Sequence, residues 1–140
     1  MVSMKETRVS LLITTALLSL ADISARLGYA HSSGSHERGK HRLGNKEPFD
    51  RSIWRLDSAA SPSASLEEHC QSIAALLPAR VFEHSGTLPE DVKVYLDISV
   101  FFSDASCTVN IPVTCVALAA SYHAEIEISC YPNDSTTETS

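Results

Sequence analysis

Apolar and polar residues alternate most clearly between Val92 and Phe102, and this period of two predicts a half-buried β-strand. Its even-numbered side chains are expected to face the interior, and its odd-numbered side chains, including Tyr95 and Asp97, are expected to face outward. Weaker alternation predicts four more strands, over residues 8–14, 53–57, 106–111 and 123–131.

Helical spacing and capping residues predict helices between these strands. Ser19 supplies an N-cap hydroxyl and Asp22 a first-turn carboxylate for a helix over residues 20–27. Ser65 and Glu68 form a capping box that begins a second amphipathic helix. The second helix is therefore expected to pack on a sheet.

Pro112 suits the first turn of a third helix, whose small apolar stripe comprises Val113, Val116, Ala117 and Ala120. Together the elements predict an α+β fold, a two-layer sandwich in which helices cover one face of a mainly antiparallel five-stranded sheet. A ferredoxin-like arrangement is the nearest familiar candidate. Residues 1–132 are predicted to form this single domain, and residues 133–140 a disordered polar tail.

Helices on one side of a sheet leave the opposite face open to solvent or to a partner. We take as candidate partner-binding residues the aromatic and acidic side chains expected there, Tyr95, Asp97, Glu125, Glu127 and Tyr131. The same alternation adds Asp57, Phe101 and Thr108 to this face. A merely solvated polar face is the plain alternative.

The charge is unevenly distributed along the 140 residues, whose net charge is -6. Residues 26–55 contain seven basic and three acidic residues, whereas from Glu83 onward only Lys93 opposes nine acidic residues. An acidic chain is a poor nucleic-acid binder, so no nucleic-acid partner is expected. An acidic second half instead favours a basic protein partner.

Lys5 and Arg8 precede an apolar run over residues 9–21, a pattern that resembles a secretory signal. The capping residues described above favour a strand and a helix there, with a cleaved signal as the alternative. The run is too short for a transmembrane span, and no membrane association is expected.

Four cysteines would permit three disulfide pairings in a secreted protein. None of them lies in a C-x-x-C pair, and each occurs in an apolar-periodic segment where a reduced cysteine packs as a small hydrophobe. We therefore expect buried thiols and a cytoplasmic protein.

No nucleophile elbow and no glycine-rich phosphate loop occurs in the chain. His31, His36 and His41 are five residues apart, which does not match common metal-ligand spacing. We expect no catalytic residues, no metal and no cofactor. The alternative is an enzyme or small-ligand protein whose site lies between the 29–51 loop and the sheet and uses Trp54, the loop histidines and Arg42.

Several segments resemble a known family. The most specific are Trp54-Arg55-Leu56-Asp57-Ser58 and Leu66-Glu67-Glu68-His69, supported by Ile23–Gly28 and Ile126–Tyr131. They are similar to the bacterial family called domain of unknown function 4279, although the stretch Tyr29-Ala30-His31 replaces a proline that usually follows the Leu-Gly element in that pattern. The resemblance implies a small, cytoplasmic bacterial protein without established activity, and it transfers no functional residues.

The leading hypothesis is a noncatalytic protein-binding module. Its most concrete form is an immunity or antitoxin-like protein that occludes a basic toxin with the open sheet face. A homo-oligomer that covers this face with a second copy is a further alternative.

Overall fold

A computed structural model describes residues 5–39, 50–78, 80, 88–103 and 108–132. Its strands and helices alternate along the chain, with the bounds β1 Lys5–Thr15, α1 Leu20–Leu27, β2 Ser52–Asp57, α2 Leu66–Leu76, β3 Lys93–Phe102, α3 Val113–Ser121 and β4 Glu125–Pro132. The predicted α+β class is confirmed. The predicted tail over 133–140 lies outside the described residues.

The sheet has four strands in the order β2-β1-β3-β4. Strand β1 pairs antiparallel with both β2 and β3, whereas β4 runs parallel to β3. Helix α3 connects that parallel pair, as a crossover between parallel strands requires. The sheet is therefore mixed, and the prediction of a mainly antiparallel five-stranded sheet is not confirmed in detail.

The strand predicted over residues 106–111 accounts for the difference in the number of strands. Residues 108–111 have no regular secondary structure, and Cys107 lies outside the described residues. Thr108 and Val109 instead line a cleft of about 320 Å³ beside Leu66 and Val100. Helix α2 also lies between β2 and β3, so the element order differs from the ferredoxin-like one.

Local signals in the sequence place two of the three helices. Ser19 accepts a hydrogen bond from the main-chain N–H of Asp22, and Gly28 ends α1 in the left-handed conformation. Ser65 and Glu68 form the predicted capping box at the start of α2. Both helices pack with α3 against the buried sheet face, whose centre is formed by Leu11, Ile13, Trp54, Leu96 and Ile98.

Helix α3 is rotated relative to the predicted stripe. Cys115, Leu118 and Ala119 face the core, whereas Val113 is 83% exposed. Nearly every side chain of α3 is apolar or small, so periodicity does not distinguish its two faces. The rotation is fixed instead by Tyr122, whose buried hydroxyl donates to the Leu77 carbonyl just after α2. Burial raises the pKa of this hydroxyl to about 12.

The expectation of reduced thiols is wrong for one pair. Cys70 on α2 and Cys115 on α3 form a disulfide whose Cα atoms are 5.7 Å apart. The two helices pack side by side on the sheet, which brings together cysteines separated by 45 residues. Cys130, also expected to be buried, is an exposed free thiol on the edge strand β4.

The two edges of the sheet differ in protection. Along the outer edge of β2, Ser32 N–H donates to the Arg55 carbonyl, and His36 forms an antiparallel bridge with Ile53. This part of the long loop therefore covers the backbone groups of β2. In the described part of the chain, no segment pairs with the outer edge of β4.

Reduction of the Cys70–Cys115 disulfide should lower the free energy of unfolding by about 4 kcal/mol, because the bond restricts the unfolded chain. Urea unfolding with and without a reductant measures the difference. Cys130→Ser is the matched control and should show the same loss on reduction as the wild type. A midpoint that does not change on reduction would contradict the disulfide.

Candidate functional site

The face of the sheet opposite the helices is built from rows of side chains across the strands. In one row, Asp57 on β2, Ser10 on β1, Asp97 on β3 and Glu127 on β4 are register neighbours. Adjacent strands lie about 4.8 Å apart, so the Asp97 and Glu127 carboxylates are close neighbours, whereas Ser10 on β1 separates Asp97 from Asp57. We call the surface formed by these outward residues the open face.

On the β2 side of the open face, the carboxylate of Asp57 is already paired with a cation of the same chain. Asp57 Oδ1 accepts hydrogen bonds of 2.6 Å from both Ser10 Oγ and Arg55 Nε. Burial raises the pKa of Asp57, but the bonds from Arg55 and Ser10 outweigh it and hold the pKa below its ordinary value. Gly34 leaves room for Arg55, because a Cβ at residue 34 would lie 3.0 Å from Arg55 Cδ.

The β3–β4 side of the open face is electrostatically unbalanced. Asp97 and Glu127 are directly opposite one another, and within the described residues no cation lies at ion-pair distance from either carboxylate. Burial raises the pKa of Asp97, and the more distant Arg55 charge opposes that rise only in part. Glu125 lies on the same side of β4, opposite Tyr95.

Aromatic rings occupy the far end of the open face. Phe101 and Tyr131 are register neighbours whose rings stack with centroids 5.1 Å apart. The Arg8 guanidinium lies over the Phe101 ring, 5.5 Å from its centroid. Tyr131 is 46% exposed, so this aromatic surface is accessible from solvent.

The structure therefore brings the five candidate partner-binding residues together on one face, across β3 and β4. Phe101 and Asp57 share that face, as the alternation predicts. Thr108 does not, because it lies outside the strands and lines the cleft beside α2. What this face binds stays a prediction.

The alternative site between the 29–51 loop and the sheet has a different geometry from the one expected. Trp54 is fully buried and donates from Nε1 to Ser24 Oγ, so it belongs to the core. His31 bonds the same serine hydroxyl, and His36 pairs with the edge of β2. His41 and Arg42 lie outside the described residues.

A cleft that the sequence did not predict opens beside the open face. It has a volume of about 220 Å³ and is lined by Arg8, Ser10, Arg55, Asp57, Ser58 and His69, among others. His69 is 2% exposed, and its Nδ1 lies 2.8 Å from Ser58 Oγ. Burial lowers the pKa of His69, although the neighbouring Glu68 charge and the Ser61 main chain act in the opposite direction.

The model of one protein family matches residues 5–133, nearly the whole chain. The chain belongs to the family described as domain of unknown function DUF4279. Comparison with curated protein sequences and with solved structures finds no match. In this DUF4279 chain, no helix of the described residues has the length and apolar character needed to cross a membrane.

The two most specific segments of the DUF4279 resemblance meet in space. Ser58 ends the first segment and His69 ends the second, and their side chains are the bonded pair in the cleft. The capping box fixes the start of α2 at Leu66, and His69 therefore lies about one turn into the helix. The sequence therefore contained a signal for this cleft, as two separate segments whose contact only the fold reveals.

Replacing Glu127 with Gln should raise the free energy of unfolding by about 0.2–1 kcal/mol at pH 7, because it removes a like charge opposite Asp97. Chemical denaturation of wild type and variant measures this. Glu125→Gln, opposite an uncharged tyrosine, is the matched control and should change stability less. The account is contradicted if Glu127→Gln destabilises the protein, or if Glu125→Gln stabilises it by as much.

Proposed function

We propose that this protein is a noncatalytic binding module that captures a basic protein partner on the β3–β4 half of its open face. The observation that carries the proposal is the register of the parallel pair, which places Asp97 opposite Glu127 and Tyr95 opposite Glu125. A partner cation between these carboxylates would relieve a repulsion that the free protein sustains.

The balance of charge across the open face supports a basic partner. On the β1–β2 half, Arg55 pairs with Asp57 at 2.6 Å, and Arg8 lies 3.9 Å from Glu6. The β3–β4 half carries three carboxylates, of Asp97, Glu125 and Glu127. Among the described residues of this half, one cation accompanies them, the Lys93 ammonium at the start of β3. A local excess of negative charge accelerates encounter with a positively charged surface.

The aromatic end of the face supports a protein partner over a free cation. Tyr131 offers a half-exposed ring that is already ordered by stacking on Phe101. Rigid tyrosine side chains bury apolar area on binding at little entropic cost, and they are enriched among residues that dominate binding energy. The carboxylates would steer the partner, and Tyr95 and Tyr131 would anchor it.

An immunity or antitoxin-like role is the most concrete form of this proposal, in which the bound module occludes the working surface of a toxin. A cytoplasmic location is the accompanying prediction. The Cys70–Cys115 disulfide bears on that location, because such bonds persist chiefly in oxidising compartments. An oxidised protein isolated from cells would favour an encounter outside the cytoplasm.

The charge reversal Glu125→Lys/Glu127→Lys tests the binding face. A basic protein captured with the wild type as bait is purified, and its Kd is measured against wild type and variant. We expect binding to weaken at least tenfold, or about 1.4 kcal/mol, because two attractive charges become repulsive. The far-UV circular dichroism of the variant should match that of the wild type.

Asp50→Lys/Glu90→Lys is the matched control, since it makes the same change in net charge at two exposed positions outside the strands. It should retain most of the affinity. Equal weakening by both double variants, or none by either, would refute the proposed face. Self-association of the wild type that Glu125→Lys/Glu127→Lys abolishes would assign the face to a second copy of the chain instead.

A further inference from the structure

The cleft beside the open face forms where β2 ends and β1 continues with only β3 as a paired strand. Asp57 is the last residue of β2 and pairs with Ser10, whereas β1 extends five residues further to Lys5. Among the described residues, two main-chain bonds join this extension to the segment after β2, from Ser58 N to Val9 O and from Thr7 N to Pro62 O. The chain between these two bonds leaves a gap in the sheet.

His69 lies at the helix side of this gap with one ring nitrogen unpartnered. Its Nε2 is buried and makes no hydrogen bond of normal length with the described protein atoms, although the Ser61 main chain is close enough to the ring to raise its pKa. Its Nδ1 is bonded to Ser58 Oγ, which already accepts from the main-chain N–H of Ala60. A serine oxygen has two acceptor lone pairs, so the bond between Ser58 and Nδ1 forms with either ring tautomer. In the tautomer in which the Ser58 hydroxyl donates to Nδ1, the ring proton lies on Nε2 and makes this atom a hydrogen-bond donor.

The lining of the cleft carries more positive than negative charge. Arg8 and Arg55 both line it, against the single carboxylate of Asp57. Arg55 is held in place by Asp57 and by the close approach at Gly34, whereas Arg8 has a side chain that is 63% exposed. The Arg8 guanidinium is therefore able to turn toward a bound group without breaking a buried contact.

We propose that this cleft binds a small oxyanion, a carboxylate or a phosphate, that accepts a hydrogen bond from His69 Nε2 and pairs with the Arg8 guanidinium. An imidazole N–H can donate a hydrogen bond to an oxyanion, and a planar guanidinium pairs with carboxylate and phosphate groups. Its volume of about 220 Å³ restricts the ligand to a small molecule or to a terminal group of a larger one. The proposal is independent of the protein partner proposed for the β3–β4 half of the face.

Nuclear magnetic resonance of the full chain tests this inference. Isotope-labelled protein is titrated at pH 7.5 with sodium phosphate and, separately, with sodium acetate, at an ionic strength held constant with sodium chloride. We expect the His69 imidazole and the Ser58 amide resonances to shift saturably with at least one of the two anions. Saturation by phosphate alone or by acetate alone identifies the source of the oxyanion, and either result supports the cleft.

Arg8→Gln, on an exposed side chain, should weaken the saturable binding about tenfold. Arg26→Gln on α1 removes the same charge from an exposed residue that does not line the cleft, and it should leave the affinity within twofold. The inference is overturned if neither anion gives saturable shifts at His69, which would make the cleft a hydrated gap. It is also overturned if the two arginine variants weaken binding equally.

Discussion

The pairing of β1 on both of its edges is the constraint on which the rest of the structure depends. Ten residues of β1 pair with β3, and five of these, residues 10–14, pair with β2 as well. Since the side chains of a strand alternate between faces, this double pairing fixes which residues of three strands face the helices. A slip of one residue would move Leu11 and Ile13 out of the core.

That same register forms both candidate sites. Through β3 it sets the position of β4, and so it places Glu127 opposite Asp97 on the side away from the helices. At the other edge of β1, the early end of β2 leaves the gap in which Ser58 and His69 meet. One surface thus carries an uncompensated acidic patch and, beside it, a donor-rich cleft. The two have opposite charge preferences, so they are suited to different ligands or to different groups of one partner.

Local signals in the sequence predicted much of this architecture. The capping boxes of α1 and α2 join residues that are three positions apart, so they can be recognised in the sequence. The alternation of β3 is strong because its two faces differ sharply in burial. The five residues proposed for the open face could be assigned to one face because the alternation within each strand shows which side chains point away from the core. Their arrangement in rows required the pairing of β3 with β4, which is not a local property.

Features that depend on tertiary packing were missed. Helix α3 offers apolar side chains on all sides, so its rotation depends on Tyr122 and on the contact with α2. The Cys70–Cys115 disulfide follows from the same contact between helices. The segment at 108–111 alternates like a strand but has no regular secondary structure and lines the cleft beside α2 instead. The Ser58–His69 pair joins two segments whose proximity depends on how α2 crosses the end of β2.

The register of β3 with β4 is the central claim, and side-chain nuclear Overhauser effects test it most directly. The account predicts cross-peaks between the Phe101 and Tyr131 rings, and between Ile98 and Ile128 methyl groups on the opposite face. Cross-peaks that pair Phe101 with Cys130 or Pro132 instead would show a shifted register. In that case Asp97 and Glu127 would not share a row, and the acidic patch would not exist.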